Sequence, residues 1–211
     1  MASRKQIGFS LLELMISITI SMILAAVTIF SLQPALKQQH VNDAYNTTLG
    51  ALRRARELAA ADMRIYVVTF LPPAVVGPNP NGGSITIAQD IPLPPITYTY
   101  TLPPDVTFHV EPGVPTSPTV APTTPDGFGT AANAFDFDQI AGGGSATIYF
   151  YPDGSAQDAG PNGGNVNNGV VYLGIPGQLP TQRAVSLWGY TGRIRGWHLT
   201  QVAGVWTWRE M

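Results

Sequence analysis

The chain has 211 residues, 45% of them hydrophobic, and a formal net charge of −2, so it contains enough apolar material for a folded core. Only 11% of the residues are charged, whereas there are 22 glycines and 19 prolines, a composition that favours a body of turns and short strands. Cysteine is absent, which excludes disulfides, thiolate metal sites and cysteine nucleophiles.

The charges are unevenly distributed along the chain. Seven of the eleven lysines and arginines lie in the first 64 residues, and only four follow them. Nine acids also follow residue 64, so the C-terminal body carries a net charge of −5. A broadly basic face for nucleic acid is therefore excluded there.

The N-terminal region contains a long apolar run with one acid in it. Within residues 9–32 the only charged residue is Glu13, and a helix of that length spans roughly 36 Å, against about 30 Å for a hydrocarbon core. Arg4 and Lys5 precede the run, so the positive-inside bias keeps the N-terminus cytoplasmic and places the body outside. A secretory signal peptide is the alternative, but the carboxylate is costly inside a membrane and has to be compensated.

The sequence G-F-S-L-L-E-L-M at residues 8–15 resembles the class III signal of type IV prepilins and type II secretion pseudopilins. The resemblance implies that a prepilin peptidase removes residues 1–8 by cutting between Gly8 and Phe9, and that it methylates the new Phe9 amine. Glu13 then becomes the fifth residue of the mature chain.

The predicted cut supplies a partner for Glu13. An α-amino group is largely cationic at neutral pH, so a freed Phe9 amine on a neighbouring subunit would neutralise this carboxylate inside a filament. A paired buried charge costs far less than an isolated one, and the pairing would reward a single axial offset between subunits. The alternative is an acid that is merely tolerated near the membrane interface.

The helix is predicted to bend or loosen at Pro34 and then to continue as an amphipathic segment to about Ala61. Its apolar stripe consists of Val41, Tyr45, Thr48, Leu52, Ala55 and Ala59. The other side carries Arg53, Arg54 and Arg56. They form either a solvated helix face, which is the favoured interpretation, or a contact for anionic lipid or nucleic acid. The predicted organisation is a leader at 1–8, a membrane-spanning or filament-core helix at 9–33, an amphipathic helix at 34–62 and a β-rich head at 63–211.

Short strand-like stretches, most of them alternating, follow the helix and are separated by proline and glycine. They are residues 64–71, 84–88, 96–102, 106–110, 146–151, 170–173, 183–187, 193–199 and 205–209. Tight turns at 152–154, 189–192 and 202–204 would return the chain antiparallel, and residues 111–144 are predicted to be a flexible insertion. The fold class is therefore α+β, a long N-terminal helix packed against an antiparallel β-rich head.

Three segments of the head resemble the GspH/FimT family of minor pseudopilins and minor pilins. They are LPPDVTF at 102–108, IYFYPDGSA at 148–156 and RAVSLWGYTGRIRGW at 183–197. The resemblance implies a pilin-like fold. It does not extend to residues 111–144 or to the closing HLTQVAGVWTWREM, and the chain lacks the cysteine pair found in some members.

The sequence GRIR at 192–195 is the one cationic cluster of the acidic body. On a strand, Arg193 and Arg195 would point to the same side about 7 Å apart and would contact successive phosphates, with Trp188 and Trp197 as stacking surfaces. Some FimT-type minor pilins use a Gly-Arg-x-Arg element to hold DNA during natural transformation, so this resemblance implies DNA binding as an alternative function. In the alternative, Arg193 fixes the hairpin by bonding carbonyls or an acid, while Arg195 is solvated.

Other candidate chemistry is weak. Asp136, Asp138, Asp153 and Asp158 would supply oxygen ligands for Ca²⁺, but their spacing is not that of an EF-hand. His40, His109 and His198 have no metal-binding spacing, and G-x-S-x-G is absent. The sequence predicts neither a cofactor nor an enzymatic activity.

The functional prediction is a minor pseudopilin or minor pilin that supports protein secretion or pilus biogenesis. Its partners would be other pilins, the prepilin peptidase, an inner-membrane assembly platform and the membrane itself. It would cross the bacterial inner membrane once, with the head in the periplasm, before joining the filament. A DNA-binding minor pilin and a membrane-anchored enzyme are the alternatives.

Overall fold

The computed structural model describes residues 10–73, 82–90, 96–137, 145–158 and 164–211. The chain forms two compact units, Met1–Gln38 and Gln39–Met211. In order, the elements are the helix α1 and the strands β1 to β10. Their bounds are α1 Leu11–Asp62, β1 Tyr66–Leu71, β2 Ser84–Gln89, β3 Thr97–Thr101, β4 Phe135–Asp136, β5 Thr147–Phe150, β6 Ala156–Gln157, β7 Gly169–Leu173, β8 Arg183–Trp188, β9 Arg193–Val202 and β10 Val205–Glu210.

The helix α1 has 52 residues, and Pro34 lies inside it. It ends at Asp62, close to the end predicted at about Ala61. Met63 follows with a φ of 51°, and the Arg64 amide donates to the Ala59 carbonyl at 3.2 Å. A left-handed residue followed by this hydrogen bond is the Schellman arrangement, which satisfies a carbonyl that the helix would otherwise leave unpaired.

In the first unit, α1 is apolar and exposed. Among the side chains that the structure describes, the large apolar ones from Leu11 to Leu36 are more than half exposed, and the helix is long and apolar enough to cross a membrane. Hydroxyl groups donate to carbonyls one turn earlier, as in Ser17 to Glu13 at 2.8 Å and Thr19 to Met15 at 2.6 Å. These hydroxyls therefore need no water, which suits a helix in lipid or among other helices.

In the second unit, α1 buries the predicted stripe. Val41, Leu52, Ala55 and Ala59 are fully buried, and Tyr45 nearly so. Among the described residues the strands form two antiparallel sheets of five, ordered β3-β2-β1-β5-β6 and β10-β9-β8-β7-β4. The stripe packs against side chains of both sheets in one core, so the long helix followed by antiparallel sheets predicted from the sequence is confirmed.

The second sheet is covered on both faces. Val171 and Val185 belong to the core that contains the helix, whereas Tyr172 and Ala184 lie in a second cluster with Trp208. This double coverage explains why β7 is an uninterrupted apolar run, since each of its residues is buried.

The face of the second sheet that carries Tyr172 and Ala184 is called the outer face here. It is partly covered by residues from 111–144, the segment predicted as a flexible insertion. Among its described residues, 111–137, there is a short 3₁₀ helix, Pro125–Gly127, besides β4. Val114 and Ala131 join the outer cluster, and Phe137 is fully buried in the main core. The described part of this segment is therefore packed onto the head, and residues 138–144 lie outside the described residues.

The prediction of a strand at 106–110 is wrong. Only Thr107 is paired there, in a single bridge to Gly174, with hydrogen bonds of 2.9 and 3.1 Å. Val106 and Phe108 are nevertheless buried in the core. The alternating pattern thus correctly indicated that Val106 and Phe108 are buried. It wrongly indicated that their backbone is paired in a sheet.

Candidate functional site

The predicted processing and assembly residues lie at the start of the chain. Gly8 and Phe9 are outside the described residues. Glu13 lies in the first turn of α1, where an acid interacts favourably with the helix dipole. Its side chain is exposed, and it is the only charged residue from the helix start to Leu36.

Arg195 of β9 is held by acids. Its Nη1 lies 2.8 Å from Asp126 Oδ1, and its Nε lies 3.4 Å from Glu210 Oε1. Ser186 donates to the other Asp126 oxygen and accepts from Trp197 Nε1 at 2.9 Å. The side chain of Asp126 is only 5% exposed, so the network ties β8 and β9 to the segment above the outer face.

Arg193 is placed differently. It is exposed at the start of β9, and within the described part of the chain its guanidinium has no acid within ion-pair distance. The alternative drawn from the sequence predicts that Arg193 is bonded and that Arg195 is solvated. The structure shows the reverse, since Arg195 is paired and Arg193 is exposed. Sequence reasoning missed this because the acid that selects Arg195, Asp126, lies 69 positions away.

The tryptophans near these arginines make contacts of their own. Trp188 is 39% exposed and meets Phe128 edge to face, with ring centroids 5.0 Å apart. Trp197 donates its indole N–H to the Ser186 hydroxyl. Arg53, Arg54 and Arg56 are all exposed on α1, as expected for a solvated helix face.

The candidate calcium ligands have local partners instead. Asp136 accepts from the Thr130 amide at 3.1 Å, and Asp158 accepts from the Asn165 amide at 2.9 Å. The hydroxyl and amide of Ser155 donate to Asp153 and hold the pKa of that carboxyl below its usual range. Asp138 lies outside the described residues. The described residues contain no group of three or more His, Cys, Asp or Glu that could hold a metal ion.

A pH-sensitive contact lies on β9. His198 is in register with Arg183 of β8 and Arg209 of β10. Burial, followed by the positive charge of Arg183, lowers the pKa of His198 below 6.5. The native state therefore binds this proton less readily than the unfolded state, and stability falls as pH drops below about 6.5.

Replacing His198 with glutamine is accordingly expected to flatten the pH dependence of stability. The free energy of unfolding of the wild type should fall more steeply between pH 7.5 and pH 5 than that of H198Q. Urea titrations of both proteins in detergent, followed by the fluorescence of the four tryptophans, all of which lie after residue 187, measure this difference. Parallel pH profiles would contradict the assignment.

Comparison with known proteins adds one match. Residues 3–29 match the family model described as the prokaryotic N-terminal methylation motif. No curated protein and no solved structure matches the chain. The match covers the predicted cleavage site, Glu13 and the first part of α1, so the chain carries a type IV pilin-like signal ahead of a pilin-like α+β fold. This signal and the one apolar helix found among the described residues fit a single-pass inner-membrane protein.

Proposed function

We propose that this chain is a minor pilin or pseudopilin that is cut between Gly8 and Phe9 and assembled into a type IV pilus or a type II secretion pseudopilus. One observation carries the proposal. The methylation motif at residues 3–29 runs into a helix whose described large apolar side chains, up to Leu36, are exposed on the isolated chain. An apolar surface of this extent requires lipid or other subunits to cover it.

Assembly gives Glu13 a role that membrane anchoring alone does not. A carboxylate inside a hydrocarbon layer costs on the order of 2.5–3.5 kcal/mol at the centre. Once residues 1–8 are removed, the nearest lysine or arginine in the same chain is Lys37, 24 positions later. The freed Phe9 amine of the next subunit would supply the opposite charge. Pairing between subunits would therefore select one axial offset in the filament.

The head, which we place in the periplasm, would work by binding neighbouring subunits and the assembly platform. The methylation motif favours a structural role over an enzymatic one. DNA binding through Arg193 and Arg195 has less support from the geometry, because Asp126 and Glu210 neutralise Arg195. A mutant strain that retains exoproteins in the periplasm would assign the protein to secretion, and one that loses pili would assign it to a pilus.

The test is the Glu13→Val substitution in the full-length chain. We expect E13V to insert in the inner membrane and to lose residues 1–8, but to co-purify with partner pilins at least tenfold less than the wild type, because its helix no longer offers a charge partner. Membrane fractionation, mass spectrometry of the N-terminus and affinity purification measure the three properties.

Thr19→Val is the matched control. It removes a polar group from the same apolar stretch, a hydroxyl that donates to the Met15 carbonyl, and it leaves the charge of Glu13 in place. T19V should co-purify like the wild type. Equal recovery of E13V and the wild type, or a mature protein that retains its first eight residues, would overturn the proposal.

A further inference from the structure

A groove of about 720 Å³ lies between the last turns of α1 and two turns of the head. Three arginines reach it, Arg53 and Arg56 from α1 and Arg193 from β9. The remaining lining residues are Glu57, Ala60, Pro152, Asp153, Gly154, Thr191, Gly192 and Ile194. We call this site the arginine groove.

Two glycines build the floor of the groove. Gly154 and Gly192 have φ values of 81° and 58° and are both buried. A Cβ on Gly192 would overlap the Gly154 carbonyl and would lie 2.7 Å from Arg56 Nε. The guanidinium of Arg56 therefore packs against the main chain at Gly192, in a space that a side chain at this position would fill. The turn and the arginine thus fit each other closely.

The three guanidinium groups are free to bind an anion. Among the described residues none of them has a carboxylate within 4.0 Å. Asp153 is occupied by the amide and hydroxyl of Ser155, at 2.9 and 2.7 Å. Arginine left in a groove with unused forked donors is suited to a carboxylate or phosphate.

The other lining residues favour a carboxylate on a protein. Glu57 and Asp153 line the groove as well and would repel the many evenly spaced charges of a nucleic acid backbone more than they would repel a single carboxylate. Ala60, Pro152 and Ile194 offer apolar surface, which a peptide side chain and its neighbours can cover.

The charge of the head is complementary to this groove. Four bases and nine acids follow residue 64, so a subunit with a similar head offers acidic surface. Contact between the groove of one subunit and an acid of the next joins two different surfaces, and such contacts propagate into open helical filaments.

We propose that the arginine groove binds a carboxylate side chain of an adjacent, acidic filament subunit. The proposal rests on the function proposed above and adds a contact of the head to the contact of the helix. Arg56 and Arg193 hold the carboxylate by charge-assisted hydrogen bonds, and Arg53 closes the groove from the helix.

The experiment uses the full-length processed protein in detergent micelles. The probe is a short capped peptide with one glutamate between two leucines and a neutral fluorescent label, and the same peptide with glutamine serves for comparison. We expect the glutamate peptide to bind at least tenfold more tightly at low salt. R56Q and R193Q should each weaken its binding by about tenfold, the effect of losing one charge-assisted contact.

Arg54→Gln is the matched control. Arg54 is exposed on the same turn of α1 but does not line the groove, so R54Q should bind the peptide like the wild type. An equal loss in R54Q, or equal binding of the two peptides, would overturn the proposal. So would displacement of the peptide by a short DNA duplex at lower concentration than by free glutamate peptide, because the site would then prefer a phosphate backbone. Circular dichroism checks that each variant is folded.

The result of the peptide-binding experiment can be distinguished from the result of the E13V experiment that tests the proposed function. Leader removal and the dependence of co-purification on Glu13 do not involve the head, so they can hold while peptide binding fails. If E13V co-purifies normally but the groove binds the glutamate peptide, the filament role fails and an acidic partner of another kind remains.

Discussion

The Gly196→Ala protein is expected to lose about 3 kcal/mol of stability in its head, or to fail to fold. Gly196 lies in β9 in the second sheet, where Tyr45 of α1 packs against its main chain. An added Cβ would overlap Tyr45 Oη and lie 2.5 Å from Cζ. Overpacking a core by a single methyl group typically costs 1–3 kcal/mol, and here the tyrosine is only 6% exposed and β9 is paired on both sides, by β8 and β10.

Urea unfolding followed by tryptophan fluorescence measures this loss, with Gly50→Ala as the matched control. Gly50 is an exposed helical glycine with open space where a Cβ would go. G50A should be neutral or stabilising by about 0.5–1 kcal/mol, the helix propensity difference.

A double variant separates the clash from other effects of the new methyl group. Tyr45→Ala removes the ring, so the Y45A/G196A protein should be more stable than the two single losses would predict together. Additive losses, or a G196A protein as stable as the wild type, would show that Tyr45 and Gly196 do not meet as described.

The sequence predicted the helix and most strands because the signals there are local. The spacing of Val41, Tyr45 and Leu52 identified the buried face of α1, and all three are buried. Alternation likewise located β1 and β2, whose residues are alternately buried. In these elements burial repeats with the period of the backbone itself, so a single sequence is sufficient.

The candidate site was harder to predict from the sequence, because its contacts join residues that are far apart along the chain. Residues 192–196 contain two closely packed glycines, and the partner of Gly196, Tyr45, lies about 150 positions earlier. The arginine groove combines Arg56 with Arg193, and nothing near either residue indicates the other. Spacing placed Arg193 and Arg195 together on β9, but only the folded chain separates an arginine in a groove from one held by Asp126.

Asp126→Asn is expected to cost about 3 kcal/mol. Asp126 has a φ of 53°, a left-handed conformation that asparagine tolerates better than most residues, so the turn is kept and only the charge is lost. The side chain of Asp126 is 5% exposed and that of Arg195 is 22% exposed. Removing one partner of a buried ion pair typically costs 3–5 kcal/mol, because the other charge stays desolvated, and Arg195 retains only the longer contact with Glu210.

Two further variants test that reasoning. Glu210 is 48% exposed, so E210Q should change stability by less than about 1 kcal/mol, as exposed ion pairs usually do. In a cycle of D126N and R195Q, the double variant should regain part of the loss, because no buried charge is left without its partner. If D126N and E210Q cost the same, solvent reaches Asp126 freely, and the network of Arg195, Asp126 and Ser186 does not hold the segment onto the outer face of the sheet.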